Sequence, residues 1–312
     1  MAQKLLTRRK LLLAKVESTY NTDPTPSASA DAVLCEGLSW ASAGLKMIAR
    51  PAIRPSFGEL RQVYGGRLLQ VSFSCEVKGS GTAGTAPEIG QLLRACAMGE
   101  TIVGATSVTY APVSTGVESC TLWVYEDGKQ IKITGCRGNV SFTATAGERV
   151  MAAFTLTGHE GAQADVTLAT PTYSSIVPAP VIAGGFTIDS FAAVISSLTF
   201  DLTNTVAMPA NVSAADGYSD VTITARDVNG SIDPLDELVA AEDFIGNFKS
   251  GSIMALTTGA IGATAGNILT IAMPAVSYRD VTPADRDGLA AFDLPFGAAE
   301  DSADDEVTLA FT

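Results

Sequence analysis

The side chains here that could do chemistry are few and scattered. His159 is the single histidine, and it sits in Thr157-Gly158-His159-Glu160-Gly161. A histidine acts as a general base for serine when that serine stands on a sharp elbow, and no G-x-S-x-G supplies one. His159 therefore reads as a solvated residue in a glycine-rich turn. The five cysteines, Cys35, Cys75, Cys96, Cys120 and Cys136, are widely spaced and form no C-x-x-C. With one histidine they suggest no zinc site, and they read as buried free thiols. Asp227-Val228-Asn229-Gly230 begins like a calcium loop, but Leu238 stands where the closing glutamate belongs, so a turn is the expectation. Gly79–Gly84 lacks the lysine of a phosphate-binding loop and reads as a flexible connection. Asp236, Glu237, Glu242 and Asp243 could in principle serve a glycosidase. They fall on a helix predicted to face water, and only Trp40 and Trp123 could form a sugar platform. The expectation is a protein that is not an enzyme and that uses no metal and no cofactor.

Composition narrows the class further. The chain has 312 residues and a formal net charge of −13. Duplex DNA is held by clustered Lys and Arg, so this balance argues against a sequence-specific nucleic-acid binder. It remains compatible with a surface along which DNA passes without adhering. No run of about 18 apolar residues predicts a membrane span. Lys4, Arg8, Arg9 and Lys10 precede an apolar run, Leu11–Ala14, that is shorter than the roughly 7–15 residues of a secretory core. This stretch is read as a short strand or arm, and the protein as unexported.

Few elements carry helical periodicity. Pro87–Ala97 places Ile89, Leu92, Leu93 and Cys96 on one stripe behind a proline start. Asp233–Phe248 offers Asp233 as a cap, Pro234 as a start, and Leu235, Leu238, Val239 and Phe244 as a face. Strand alternation is abundant. Val71, Phe73, Cys75 and Val77 alternate with Ser72, Ser74, Glu76 and Lys78. Leu122–Tyr125 and Gln130–Thr134 flank Glu126-Asp127-Gly128-Lys129, a strong hairpin turn. Further strands are expected over Val140–Thr143, Val150–Leu156, Val194–Leu202, Val221–Ala225, Ser252–Leu256, Ile268–Met273, Ala290–Leu294 and Val307–Phe311. The acidic stretch Ala298–Glu306 reads as a mobile tail.

The two halves also resemble each other. Leu38-Ser39-Trp40 matches Leu198-Thr199-Phe200, and Val71-Ser72-Phe73 matches Val221-Thr222-Ile223. Asn139-Val140-Ser141 matches Ala275-Val276-Ser277, and Ala152–Leu156 matches Ala290–Leu294. The order and spacing predict a duplication, joined in the Pro-, Gly- and Ser-rich Thr170–Gly185. The first unit is then 1–175 and the second 176–312.

Three stretches carry a family likeness: Arg8–Pro26, Lys78–Ala97, and Ser107–Pro112 followed by Thr121–Phe142. In content, order and spacing they resemble the major tail tube proteins of siphophages, the long-tailed bacteriophages with non-contractile tails. The resemblance covers the first half; the second joins through its likeness to the first. It implies a mainly β fold of two tandem tail-tube-type β-sandwich or barrel domains, each with one flanking helix. It implies a structural virion protein that self-assembles into stacked rings, the hollow conduit for DNA delivery. Six domains per ring mean three copies with pseudo-sixfold symmetry, or six copies without duplication. The implied partners are further copies of the chain, the tape measure protein and DNA in the lumen, and tail terminator and distal tail proteins at the ends. The implied location is the phage tail, after assembly in the bacterial cytoplasm. Competing readings are a β-rich receptor- or carbohydrate-binding module, or another virion part such as a tail terminator.

Two sets of residues follow. Ala43–Gly66 is too long for a plain turn, so it is expected to reach the neighbouring ring through Arg50, Arg54, Phe57, Arg61 and Tyr64, with Thr205–Gly217 as its counterpart. The lumen is expected to show one polar strand face, with Ser72, Ser74, Glu76, Ser141, Thr143, Thr222, Thr224 and Asp293 as candidates.

Overall fold

The structure is a computed structural model that describes residues 4–312. It is mainly β, with 46% of residues in strands and 4% in helices, so sheets carry the architecture. One antiparallel wall runs through both halves. Its strands lie side by side in the order Cys35–Ala43, Leu68–Glu76, Met151–Asp165, Lys129–Thr145, Ser197–Asp201, Asn229–Ile232, Leu289–Ala299 and Leu269–Tyr278. The strand Lys129–Thr145 joins the halves. Its first part pairs with Cys120–Glu126, and its last part, Ser141–Thr145, pairs with Asp201–Ser197. A second layer closes over the wall. The C-terminal strand Thr308–Phe311 lies between Leu269–Ala272 and Val108–Tyr110, so it too bridges the halves.

One face of the wall builds the core. Val71, Phe73, Val140, Phe142, Phe154, Leu198, Phe200, Leu294 and Phe296 are all buried there. Strand alternation sends every second residue inward, and the aromatic side chains fill the seam. Phe142 stacks on Phe200 with ring centres 4.7 Å apart, which locks the two halves at their shared ladder.

The hairpin at Asp127-Gly128 forms as expected, with φ of 42° and 100° at the two turn residues. The first helix is shorter than its stripe, Gly90–Ala95, yet Ile89, Leu92, Leu93 and Cys96 are all buried. The second differs more: only Phe244–Ser250 is helical, capped by Asp243. Asp233 is engaged elsewhere, accepting from the amides of Ser196 and Ser197. Pro234–Asp236 is held extended against Ala290–Phe292. A strand partner thus overrides local helix propensity.

Three further expectations are corrected. Val221–Ile223 does not take the place that Val71–Phe73 takes in the wall; Asn229–Ile232 does, and Thr222–Ala225 forms a separate ribbon with Thr205–Ala207. Gly79–Gly84 is a close-packed backbone contact. Gly79 donates to Asn267 Oδ1 at 2.8 Å, Gly81 donates to Gly266 O at 2.9 Å, and a Cβ on Gly79 would collide with the Gly266 carbonyl. The acidic stretch before the last strand is tied down: Arg226 binds Asp304 and Glu306, and Asp305 accepts from the amides of Asp301 and Ser302.

The N-terminal segment is anchored by a buried carboxylate. Glu17 accepts from Ser119 Oγ, Thr121 Oγ1, the Gly135 amide and the Asn21 amide at 2.6–2.7 Å. Removing it orphans two backbone donors. Glu17→Ala is expected to cost about 3 kcal/mol in urea unfolding of the unassembled chain, and Glu17→Gln about half of that. A loss under about 1 kcal/mol for the alanine variant would show that the hub is dispensable.

Candidate functional site

The outward face of the wall is mainly polar, interrupted by Ala153, Met151, Pro295 and Gly297. Directly opposed residues share a face, so the register can be followed strand by strand. One row reads Glu36, Ser74, Ala153, Ser141, Asp201, Asn229, Gly297 and Ser277. The next reads Glu76, Met151, Thr143, Thr199, Ser231 and Pro295. Of the lumen candidates, Ser72, Ser74, Glu76, Ser141, Thr143 and Asp293 come together on this face. Thr222 and Thr224 lie on the separate ribbon, apart from it. Asp201, Thr199, Ser231 and Asn229 belong to the face and went unnamed; the alternation of Ser197–Asp201 could have supplied the first two.

The charge on this face is acidic and tethered. Arg149 reaches Glu36 at 2.6 Å and Glu76 at 3.4 Å. Arg279 pairs with Asp227 and holds that carboxyl below its usual range. Asp201 accepts from Asn139 at 2.6 Å, and Asp293 accepts from Ser231 at 2.7 Å. The other side chains of these rows are hydroxyls and small groups, with Met151, Asn229 and Pro295 among them.

Each border of the wall leaves a stretch of strand edge unpaired among the described residues. The strand Cys35–Ala43 pairs with Leu68–Glu76 on one side and with no strand on the other, among the described residues. Lys10 Nζ caps a single carbonyl of that edge, at Leu38. At the other border the hairpin of Thr282–Arg286 with Leu289–Ala299 projects past the wall, and Thr282, Pro283, Ala284 and Asp285 are exposed.

The wall has unlike ends. At the end marked by Ala43 and Leu68, two arms project. Met47–Ile48 pairs with Val63–Tyr64, and residues 49–62 form an exposed tip carrying Arg50, Arg54, Phe57 and Arg61. Ile53 and Phe57 are fully exposed. Thr205–Gly217 and its return strand start beside this arm. Tyr218 donates to the Gly44 carbonyl, and Lys46 Nζ lies 4.3 Å from the Tyr218 ring centre. At the opposite end are the turn around Gly147 and the hairpin tip at Asp287-Gly288.

The histidine is placed differently from its reading. His159 lies inside the long strand Met151–Asp165 and is only 9% exposed. Its Nδ1 is 2.6 Å from Asp216 Oδ2, and Tyr20 Oη lies 3.3 Å from Nε2. Burial pushes the Tyr20 phenol up to about 12, so it stays neutral and can donate to Nε2 while accepting from the Val221 amide. Beside it Arg67 makes a two-pronged contact with Glu160 at 2.6 and 2.7 Å. These groups satisfy one another across the foot of the second arm.

A wide wall of small polar side chains, with bare backbone borders and a projecting arm, defines a structural β protein. The match with known families agrees: the chain belongs to the phage tail tube protein family, whose model covers residues 7–312. It is therefore a structural protein of the phage tail. No curated protein matches the chain. No helix among the described residues is long and apolar enough to cross a membrane.

Proposed function

We propose that three copies of this chain close into a ring and that the rings stack into the hollow tube through which phage DNA is delivered. One observation carries the reading: the ladder joining the two halves has open counterparts at both borders of the wall. The wall strands of residues 4–165 and those of 187–312 follow the same order. The bulge between Ile133 and Cys136 facing Cys120–Leu122 recurs between Met273 and Val276 facing Met254–Leu256. That correspondence supports two duplicated units, divided in the linker near 175. It sets Ser141–Thr145 beside Val281–Asp285, and Ser197–Asp201 beside Gly37–Ala41.

The ladder between copies then copies the ladder within the chain. Ala144 faces Leu198 inside the chain. Ala284 of one copy faces Leu38 of the next. Bare edges invite strand addition, and a head-to-tail contact that closes by rotation makes a ring. Pairing every edge produces one continuous barrel. The polar face turns to the lumen, where hydroxyls and carboxylates repel phosphate and keep DNA from adhering. The arm, with Arg50, Arg54, Phe57, Arg61 and Tyr64, joins ring to ring.

The register is testable by cross-linking. Pro283 should face Ser39 of the neighbour, as Thr143 faces Thr199 within the chain. In assembled tubes of a P283C/S39C chain, mild oxidation should give covalent trimers on denaturing gels, while either single variant gives none. Monomers only, from tubes that still form, would overturn the register. Covalent hexamers would replace the three-copy ring.

A further inference from the structure

The end of the wall opposite the arms carries an apolar cavity of about 400 Å³ at the seam between the halves. Ala144, Leu198, Val181, Phe186, Ile182 and Val194 are among the residues that line it. Ile182 is 61% exposed and Val194 is 54% exposed, so the rim shows apolar surface to solvent. Such a cavity is an anchor site looking for a side chain. Around it stand exposed carboxylates. Glu148 adjoins the lining Gly147, and its carbonyl holds the Val181 amide at 2.8 Å. Arg286 binds the Val194 carbonyl, which brings the Asp287 hairpin tip beside the rim. Neither Glu148 nor Asp287 forms an ion pair among the described residues.

The arm tip presents the complement. Ile53 and Phe57 are fully exposed and touch no core. Arg50 and Arg61 flank them without ion pairs among the described residues, and Arg54 meets only Ser56. A tip of this length reaches roughly 20 Å from its ribbon. Knob and cavity lie at opposite ends of the same wall, so one chain cannot fill its own cavity. A copy stacked in the same orientation brings a tip to each cavity, one for one.

We infer that the arm tip of one copy seats Phe57 in the Ala144–Leu198 cavity of a copy in the adjoining ring, with Arg50 and Arg61 meeting Glu148 and Asp287. This rests on the stacked-ring reading and names the receiving site. Filling an apolar cavity with one aromatic anchor, rimmed by opposite charges, is how a small contact gains both strength and register.

The test uses the full chain and reads rings and tubes separately. Phe57→Ala and Val194→Glu should each leave rings intact and raise the critical concentration for tube growth about tenfold or more. Glu148→Arg with Asp287→Arg should weaken stacking, and Arg50→Glu with Arg61→Glu on the same chain should restore it. Oxidised tubes of an F57C/V194C chain should give links between rings that run beyond trimers. Normal tube growth by Val194→Glu, together with no F57C/V194C links, overturns the cavity as the receiving site. The ring reading fails only if Phe57→Ala and Val194→Glu chains, and the parent, all stay as separate monomers.

Discussion

A chain lacking Lys46–Tyr64 is expected to fold, to close rings and to build no tubes. The deletion leaves Gly44, Leu45, Gly65, Gly66 and Arg67 to join Ala43 and Leu68, which already face each other in the wall. Two glycines with left-handed φ, Gly44 at 60° and Gly66 at 109°, make so short a closure possible. The core loses nothing, because every residue from Lys46 to Tyr64 is exposed apart from half-buried Leu60. The loss falls on stacking. Burying Ile53 and Phe57 is worth about 1.5–3 kcal/mol each. Three arms per ring contact give a gross contribution on the order of 10 kcal/mol, enough to hold a filament together. Electron microscopy should show discrete rings at concentrations where the parent chain forms long tubes. Tubes of normal length from the deleted chain would remove the arm from the joint.

The second large effect concerns ring closure. Ala284→Lys is expected to leave the isolated chain as stable as before and to abolish rings. Ala284 is exposed on its hairpin, so the change should shift unfolding by no more than about 0.5 kcal/mol. In the closed ring the position corresponds to Ala144, which is 5% exposed against Leu198. An unpaired ammonium there costs several kcal/mol, and about 4 kcal/mol weakens each interface roughly a thousandfold. Sedimentation should report monomer where the parent sediments as rings, and Ala284→Gly should assemble normally. Rings of Ala284→Lys at parental concentrations would show that the intrachain ladder does not prefigure the contact between copies.

The two effects separate because they act on different borders. The hairpin and the Cys35–Ala43 edge run along the strands, where backbone donors and acceptors await a partner. The arm and the cavity sit at the strand ends, where side chains would make the proposed contact between rings. A subunit with both kinds of border can grow in two directions, around and along.

Much of the wall was legible in the sequence. The alternation of Val71, Phe73 and Cys75 with Ser72, Ser74 and Glu76 fixed which side faces the core, because strand period is a local property. Asp127-Gly128 fixed its hairpin, because few residues accept left-handed φ. The stripe Ile89–Cys96 found its helix face. Errors arose where a distant partner decided the outcome. Asp233 would cap a helix in isolation, but the amides of Ser196 and Ser197 take its oxygens. His159 looks solvent-bound in its own sequence, yet Asp216 and Tyr20 enclose it from other segments. Gly79–Gly84 looks loose until Gly266 and Asn267 arrive against it.

By itself the sequence determined the β class, the polar and apolar sides of the strands, the exposed arm and the family likeness that the family match later supported. Each follows from composition and short-range spacing, which need no partner to be read. Only the tertiary structure decided that Ser141–Thr145 pairs with Ser197–Asp201, that the mainly polar rows cross both halves, and that arm and cavity stand at opposite ends. Those depend on which of many similar strands meet. Ladder hydrogen bonds are alike for every sequence, so the choice rests on the packing of a whole core.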